Sequence, residues 1–183
     1  MTFYYGLIGL FWILFVGVWF VTSFSVKKNK SDSPSSGVGW RIFFAVVLYF
    51  FFRKQLYHFL APVDNLVQGN PTIHFVGVLL CGLGITFAIW ARLYLGNNWG
   101  MPMSVKEHPV LITKGPYRLV RHPIYTGLLL AMFGSVLASS VLWLVPLVFC
   151  IYYFYNWALA EEYLLRKEFT ERYTAYKKKT KML

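Results

Sequence analysis

From Pro123 to Ala160 the chain runs for 38 residues without an Asp, Glu, Lys or Arg, and Thr2 to Val26 gives a further 25. Runs of this length have no polar stripe to turn toward water, so they define an integral membrane protein. In hydrocarbon every backbone N–H and C=O must be satisfied within the protein, which makes each run helical. A helix rises about 1.5 Å per residue, so 25 residues cover roughly 37 Å and cross a core of about 30 Å. The longer run would reach roughly 57 Å and therefore folds into two helices with a hairpin near Ser139 and Ser140.

Two further spans complete the count. One runs from about Trp40 to Ala61 and is interrupted by Arg53 and Lys54, which must face a bundle interior, snorkel, or mark a shallow helix. The other runs from Thr72 to Leu95, with Arg92 near its end and expected at the interface. Ser, Gly and Pro between Lys27 and Gly39, and Asp64, Asn65, Gly69 and Asn70 between Pro62 and Pro71, mark the connections as loops. The expectation is an all-α, polytopic transmembrane bundle of five spans at about 2–26, 40–61, 72–95, 123–140 and 142–160. These form a single membrane domain, 1–183, with cytoplasmic polar segments at 92–122 and 161–183 as the place to look for a binding site.

Sixteen of the eighteen basic residues fall on one side of this five-span arrangement, and the opposite loops hold only Asp64. Positive residues collect in cytoplasmic loops, so the N-terminus is expected outside and the C-terminus in the cytoplasm. Lys27, Lys28 and Lys30 follow the first apolar run instead of preceding it, the reverse of a signal peptide. At 57% apolar and 14% charged residues the chain is neither a soluble globule nor disordered. Cys81 and Cys150 lie in apolar runs and read as buried thiols, not a disulfide scaffold. The net charge of +11 has no folded polar face on which to bind nucleic acid, so it is read as topology. Lys177, Lys178, Lys179 and Lys181 are placed at an anionic bilayer surface.

His58, His74, His108 and His122 are scattered, and neither HExxH nor CxxC occurs, so no metal site is expected. There is also no nucleophile elbow or glycine-rich phosphate loop. Polar groups concentrate instead in Leu111 to Gly127, LITKGPYRLVRHPIYTG, where Lys114, Tyr117, Arg118, Arg121, His122 and Tyr125 meet the start of a membrane helix. The cations there also serve topology, and Pro123 suits the first helical position. Glu161 and Glu162 form a second concentration at the end of the last span. Neighbouring helical residues point about 100° apart, so one of the two is expected to face a given pocket. Five spans bring both segments to one mouth, where a zwitterionic cofactor would fit.

The pattern Leu111, Gly115, Tyr117, Arg121, His122, Pro123, Tyr125 and Gly127, then Glu161 and Glu162, then Phe169, Tyr173 and Tyr176, resembles the isoprenylcysteine carboxyl methyltransferase and phospholipid methyltransferase superfamily. LGNNW at Leu95 to Trp99 is similar to its prokaryotic members, and the likeness covers Arg92 to Tyr176. The resemblance implies an S-adenosylmethionine-dependent methyltransferase in a prokaryotic plasma membrane, with the cofactor entering from the cytosol and a lipophilic acceptor from the bilayer. It places cofactor contacts on Val110, Leu111, Ile112, Tyr117, His122, Pro123, Ile124, Tyr125 and Glu161. Tyr117 and Tyr125 offer faces to the sulfonium or adenine, and Glu161 holds the ammonium. Members often carry His where this chain has Pro109, with His108 one position away.

Methyl transfer from a sulfonium needs in-line positioning and exclusion of water more than side-chain chemistry. Arg92, Arg121 and Glu162 are the candidate catalytic groups for orienting an acceptor. The carboxyl methyltransferases carry an arginine about one turn before the acidic residue, and Trp157 stands there in this chain. Trp157 is accordingly the candidate substrate residue, and a phospholipid amine or a small lipophilic thiol joins the carboxylates as possible acceptor. Membrane sterol-type reductases that use NADPH share the R-H-P-x-Y element but carry Asn where this chain has Ile124. A non-enzymatic lipid-binding protein on the same fold is the remaining alternative.

Overall fold

A computed structural model describes residues 2–24, 57–65, 70–98 and 110–183. Among the described residues the elements are helices: α1 (Thr2–Ser23), a stretch at 57–65 (α2), α3 (Pro71–Leu95), α4 (Pro123–Ala138) and α5 (Leu144–Lys179). Short 3-10 turns stand at Gly96–Asn98, Gly115–Arg118 and Val141–Trp143. α1, α3 and α5 are long and apolar enough to cross a membrane, and α4 is a shorter apolar helix. The expected spans 2–26, 72–95, 123–140 and 142–160 thus correspond to α1, α3, α4 and the first part of α5. The expected span 40–61, with Arg53 and Lys54, lies outside the described residues except for 57–61, which are helical and continue to 65.

Local chemistry sets the helix ends. Asn70 caps α3 by accepting from the Thr72 N–H at 3.0 Å, and Pro71 occupies the first turn. α3 stops at Gly96, whose φ of 53° lies in the left-handed region. Pro123 opens α4 in the same way that Pro71 opens α3.

α3 and α4 run antiparallel with their backbones in direct contact. A Cβ added at Gly84 would lie 2.5 Å from Ala131 N and from Gly127 O, and one at Gly134 only 2.4 Å from Cys81 N. Gly77, Cys81, Gly84 and Ala88 on α3 face Gly127, Ala131, Gly134 and Ala138 on α4, each set spaced four, three and four residues apart. Such small-residue seams let membrane helices approach closely where apolar bulk gives no driving force.

α1 lies along this pair, parallel to α3. Tyr4 stacks on His74 at one end, with ring centroids 5.4 Å apart, and Arg92 donates to Thr22 O at 2.6 Å at the other. Trp12 donates through Nε1 to Ser135 Oγ at 3.1 Å. Most of α1 is otherwise exposed, as a lipid-facing helix must be.

At the His74 end the α4–α5 turn is satisfied from within. Asp64 accepts from the Val141 N–H at 2.8 Å, and His74 Nδ1 donates to Ala138 O at 3.1 Å. Asp64, expected to be a loop residue, is instead buried beneath that turn, because an open N–H there has no water to bind. Cys81 is fully buried as expected, whereas Cys150 is only half-buried because its part of α5 faces outward.

α5 does not end where its uncharged stretch ends at Ala160. It continues to Lys179 through a break at Thr170, whose φ of 39° and ψ of −109° are not helical. In a straight helix Glu162 and Lys177 would stand roughly 22 Å apart, yet Lys177 Nζ donates to Glu162 Oε2 at 2.5 Å. The helix therefore reverses at Thr170, and a second limb returns toward the bundle.

Candidate functional site

The site is built from three pieces: the loop 110–122, the first turn of α4 and the two limbs of α5. Gly115 seats the loop against α3. Its φ is 60°, and a Cβ there would lie 2.7 Å from the Tyr94 ring. Tyr117 then turns inward, almost fully buried, with its hydroxyl donating to Ala91 O at 3.5 Å. Burial, together with the nearby Glu161 and Tyr176, pushes the Tyr117 phenol well above its ordinary range.

The returning limb closes over the loop from the other side. Tyr176 donates from its hydroxyl to Tyr117 O at 2.5 Å. The Arg121 N–H donates to Lys181 O at 2.8 Å and the His122 N–H to Met182 O at 3.1 Å, a short parallel bridge of main chain. The Arg121 guanidinium also donates to Lys177 O and Thr180 O.

His122 stands at the N-cap of α4, 6% exposed, between the two carboxylates. Its Nδ1 lies 3.3 Å from Glu161 Oε2, and its Nε2 lies 3.7 Å from Glu162 Oε1. Nε2 is buried and makes no hydrogen bond. The expectation that one of the two glutamates faces the pocket is corrected here. His122 sits in the wedge between the directions of the adjacent residues, and both side chains reach it. Burial opposes its protonation, but the two carboxylates outweigh burial and raise its pKa above the ordinary imidazole value.

The glutamates nevertheless have different surroundings. Glu162, 5% exposed, accepts from Arg121 Nε at 2.7 Å and lies 2.7 Å from Arg121 Nη2, with Lys177 on its other oxygen. Burial alone would raise its pKa, but His122, Lys177 and Arg121 hold it down at about 2. Glu161, 27% exposed, accepts from the Tyr125 hydroxyl at 2.6 Å and faces His122. Two fixed cations thus surround Glu162, while Glu161, at the cleft, has the His122 ring and the Tyr125 hydroxyl as its partners.

From His122 an aromatic stack leads along the α4–α5 cleft. His122 and Tyr125 are parallel with centroids 5.6 Å apart, and Tyr125 and Phe154 follow at 4.8 Å. Trp157 lies edge-on to Tyr153 at 4.2 Å and 6.4 Å from Phe154. Phe154 is the residue that sequence reading passed over, although its position three residues before Trp157 and seven before Glu161 puts all three on one helical face.

A profile of the phospholipid methyltransferase family matches residues 72–172, more than half of the chain. The chain belongs to that family. The match begins at the start of α3, well before the Arg92 at which the sequence resemblance begins, and it takes in the glycine seam, the loop and both glutamates. No curated protein matches the chain.

Of the candidate residues, Tyr117, Arg121, His122, Tyr125, Glu161 and Glu162 come together as one cluster, with Pro123 and Ile124 in the first turn of α4. Val110, Leu111 and Ile112 form the non-helical entry to the loop. His108 and Pro109 lie outside the described residues. Arg92 stands at the ends of α1 and α3 with its side chain turned into the protein: it is 2% exposed and donates to Gly96 O at 2.9 Å and to Thr22 O. The open carbonyls at the ends of α1 and α3 draw its guanidinium inward, where it lies over the Trp19 ring.

Proposed function

We propose that this family member transfers a methyl group from S-adenosylmethionine to a lipophilic acceptor held in the bilayer, in the manner of the isoprenylcysteine carboxyl methyltransferases. Membership of the phospholipid methyltransferase family indicates a membrane methyltransferase. The cofactor and the acceptor class are the finer reading, and one observation supports them: Glu161 is a partly exposed carboxylate held by the Tyr125 hydroxyl and a buried His122, whose Nε2 makes no hydrogen bond. A partly exposed carboxylate that, among the described residues, has no lysine or arginine on it and stands beside stacked aromatic faces favours a ligand bearing an ammonium and a sulfonium over a phosphorylated dinucleotide, and this supports the methyltransferase reading over the reductase one.

When bound, the cofactor supplies an electrophilic methyl group that needs no acid or base to activate it. Glu161 holds the ammonium end, and the main chain of Val110 to Ile112 borders the adenine. The first turn of α4, with Ile124 and Tyr125 N–H groups pointing out of the helix, receives the carboxylate beside His122. Tyr125 and Phe154 face the cation, and Trp157 at the outer end of the stack shapes the acceptor side. Arg121 and Glu162, spent on each other and on the returning limb, act here as positioning residues, while Arg92 fixes helix ends. The five-span topology, with the site facing the cytoplasm, is part of this proposal and rests on the distribution of basic residues.

Calorimetric titration of the detergent-purified protein tests the reading, with S-adenosylhomocysteine and NADPH as parallel ligands and Glu161→Gln as the variant. Saturable binding of the first, lost in the folded variant, is expected. Binding of NADPH alone, or of neither ligand, would overturn it.

A further inference from the structure

The reversal at Thr170 leaves an open cleft of about 420 Å³ between the two limbs of α5, lined by Arg166, Thr170, Glu171, Thr174, Ala175 and Lys178. It is a shallow, open concavity, and its lining side chains are exposed or half-buried. The cleft lies apart from the His122 cluster: none of its lining residues contacts His122, Glu161 or Glu162 in the arrangement described above.

Its depth follows from the chain. Arg166 is six residues beyond Ala160, where the uncharged stretch ends, so it stands about 9 Å along the helix from the hydrocarbon edge. The headgroup zone is about 5–8 Å thick in each leaflet, and an arginine side chain bridges the remaining distance by snorkelling. Without the reversal, Lys178 would sit roughly 27 Å below that edge. The contact between Lys177 and Glu162, and the main-chain bridge from Lys181 to Val120, bring the returning limb back to the start of α4. The exposed Tyr163, three residues past Ala160, marks the same level as an interfacial aromatic.

We infer that this cleft binds the phosphate of an anionic phospholipid, with Arg166 and Lys178 as its two cations and Glu171 as the one carboxylate that weakens it. The inference rests on the membrane reading and not on the identity of the cofactor. Lys167 and Lys179, equally charged and exposed but not lining the cleft, are the built-in control.

The test uses the full chain in nanodiscs of phosphatidylcholine with graded phosphatidylglycerol, reading retained lipid by native mass spectrometry after gentle detergent release. Wild type should retain phosphatidylglycerol above its bulk fraction. Lys167→Gln with Lys179→Gln should remove only a diffuse surface attraction, at most about fivefold per interfacial cation, Arg166→Gln with Lys178→Gln should weaken the preference by clearly more than that control pair, and Glu171→Gln should strengthen it. Retention at the bulk ratio in wild type, or an equal loss in Lys167→Gln with Lys179→Gln, would overturn the assignment. The latter result would reduce the effect to a diffuse basic belt. S-adenosylhomocysteine binding, measured on the same samples, should be unchanged in the double variant, so failure of the lipid site and failure of the cofactor reading are told apart.

Discussion

Gly84→Ala adds a single methyl group, and the structure says where it must go. Its Cβ would stand 2.5 Å from Ala131 N and Gly127 O and 2.9 Å from Ala131 Cα, all main-chain atoms of α4. Ordinary contact begins at 3.4 Å, so α3 and α4 must part by about 0.9 Å. No flexible side-chain tip is available to yield. Overpacking of this kind costs about 1–3 kcal/mol, and because α4 begins at the His122 cluster, a shift near 1 Å also lowers turnover by about 100-fold. Unfolding by graded SDS in mixed micelles reads the first effect, and titration with S-adenosylhomocysteine followed by a turnover assay reads the second. Gly77→Ala meets the same steric wall, 2.5 Å from Ala138 N, but at the end of the seam far from His122. It should match the stability loss and spare more of the activity. Gly17→Ala, with nothing within 4 Å, should be neutral. Wild-type stability and binding in Gly84→Ala would refute the close-contact reasoning, and equal activity losses in Gly84→Ala and Gly77→Ala would refute its link to the site.

Other consequences are as direct. Glu162→Gln should destabilise the protein by about 1–3 kcal/mol at pH 7, less than a wholly buried pair because Lys177 is partly exposed. Glu162 titrates at about 2 in the fold against 4.5 ordinarily, so its contribution is complete above the higher value and fades as pH falls through the lower one. Unfolding curves of wild type and variant should therefore converge on acidification, and a constant gap from pH 7 to 3 would contradict the assignment. Thr170→Gly should keep the reversal and cost nothing, since it removes strain of about 1–3 kcal/mol. Thr170→Pro, locked near φ −65°, should release the returning limb and expose the amides of Arg121 and His122 to hydrogen exchange; unchanged protection would argue against the hinge. Trp157→Arg should move acceptor preference toward carboxylates in a panel of lipid acids, amines and thiols, and an unaltered profile would remove Trp157 from the acceptor side.

Legibility followed the type of signal. Uncharged runs and the prolines at 71 and 123 announced α1, α3, α4 and the start of α5 to within a few residues, because hydrocarbon leaves the backbone no other choice, whereas α5 runs on well past its uncharged stretch. The seam was passed over, although Gly77, Cys81 and Gly84 repeat the spacing of Gly127, Ala131 and Gly134, and that small-residue rhythm is a packing signal in its own right. The reversal at Thr170 was not legible, since LRKEFTERYT contains neither Gly nor Pro and reads as uninterrupted helix. It exists because Tyr176 and the main chain of 180–182 find partners on a loop some 60 residues earlier, and Lys177 reaches back to Glu162 on the first limb. The residues of the site were visible as a cluster, but their division of labour was not. Only distances separate Glu162, saturated by Arg121 and Lys177, from Glu161, and only the open ends of α1 and α3 explain why Arg92 turns inward.

The 16 residues of α4 have one more effect, on the lipid instead of the ligand. They span about 24 Å, some 6 Å less than a typical hydrocarbon core. Its far end is tied by Asp64 and His74 and its near end by the loop and the returning limb, so α4 cannot lengthen to match the bilayer, and we predict that the bilayer thins where the outer face of α4, at Phe133, meets lipid. A locally pinched leaflet would lower the headgroup level toward His122, and on the function proposed above the reactive end of an amphiphile would reach the site without being pulled out of its monolayer. Turnover in phosphatidylcholine bilayers of increasing acyl length should then peak at chains shorter than those of an average membrane, and a flat dependence on thickness would show that the helix, not the lipid, makes the adjustment.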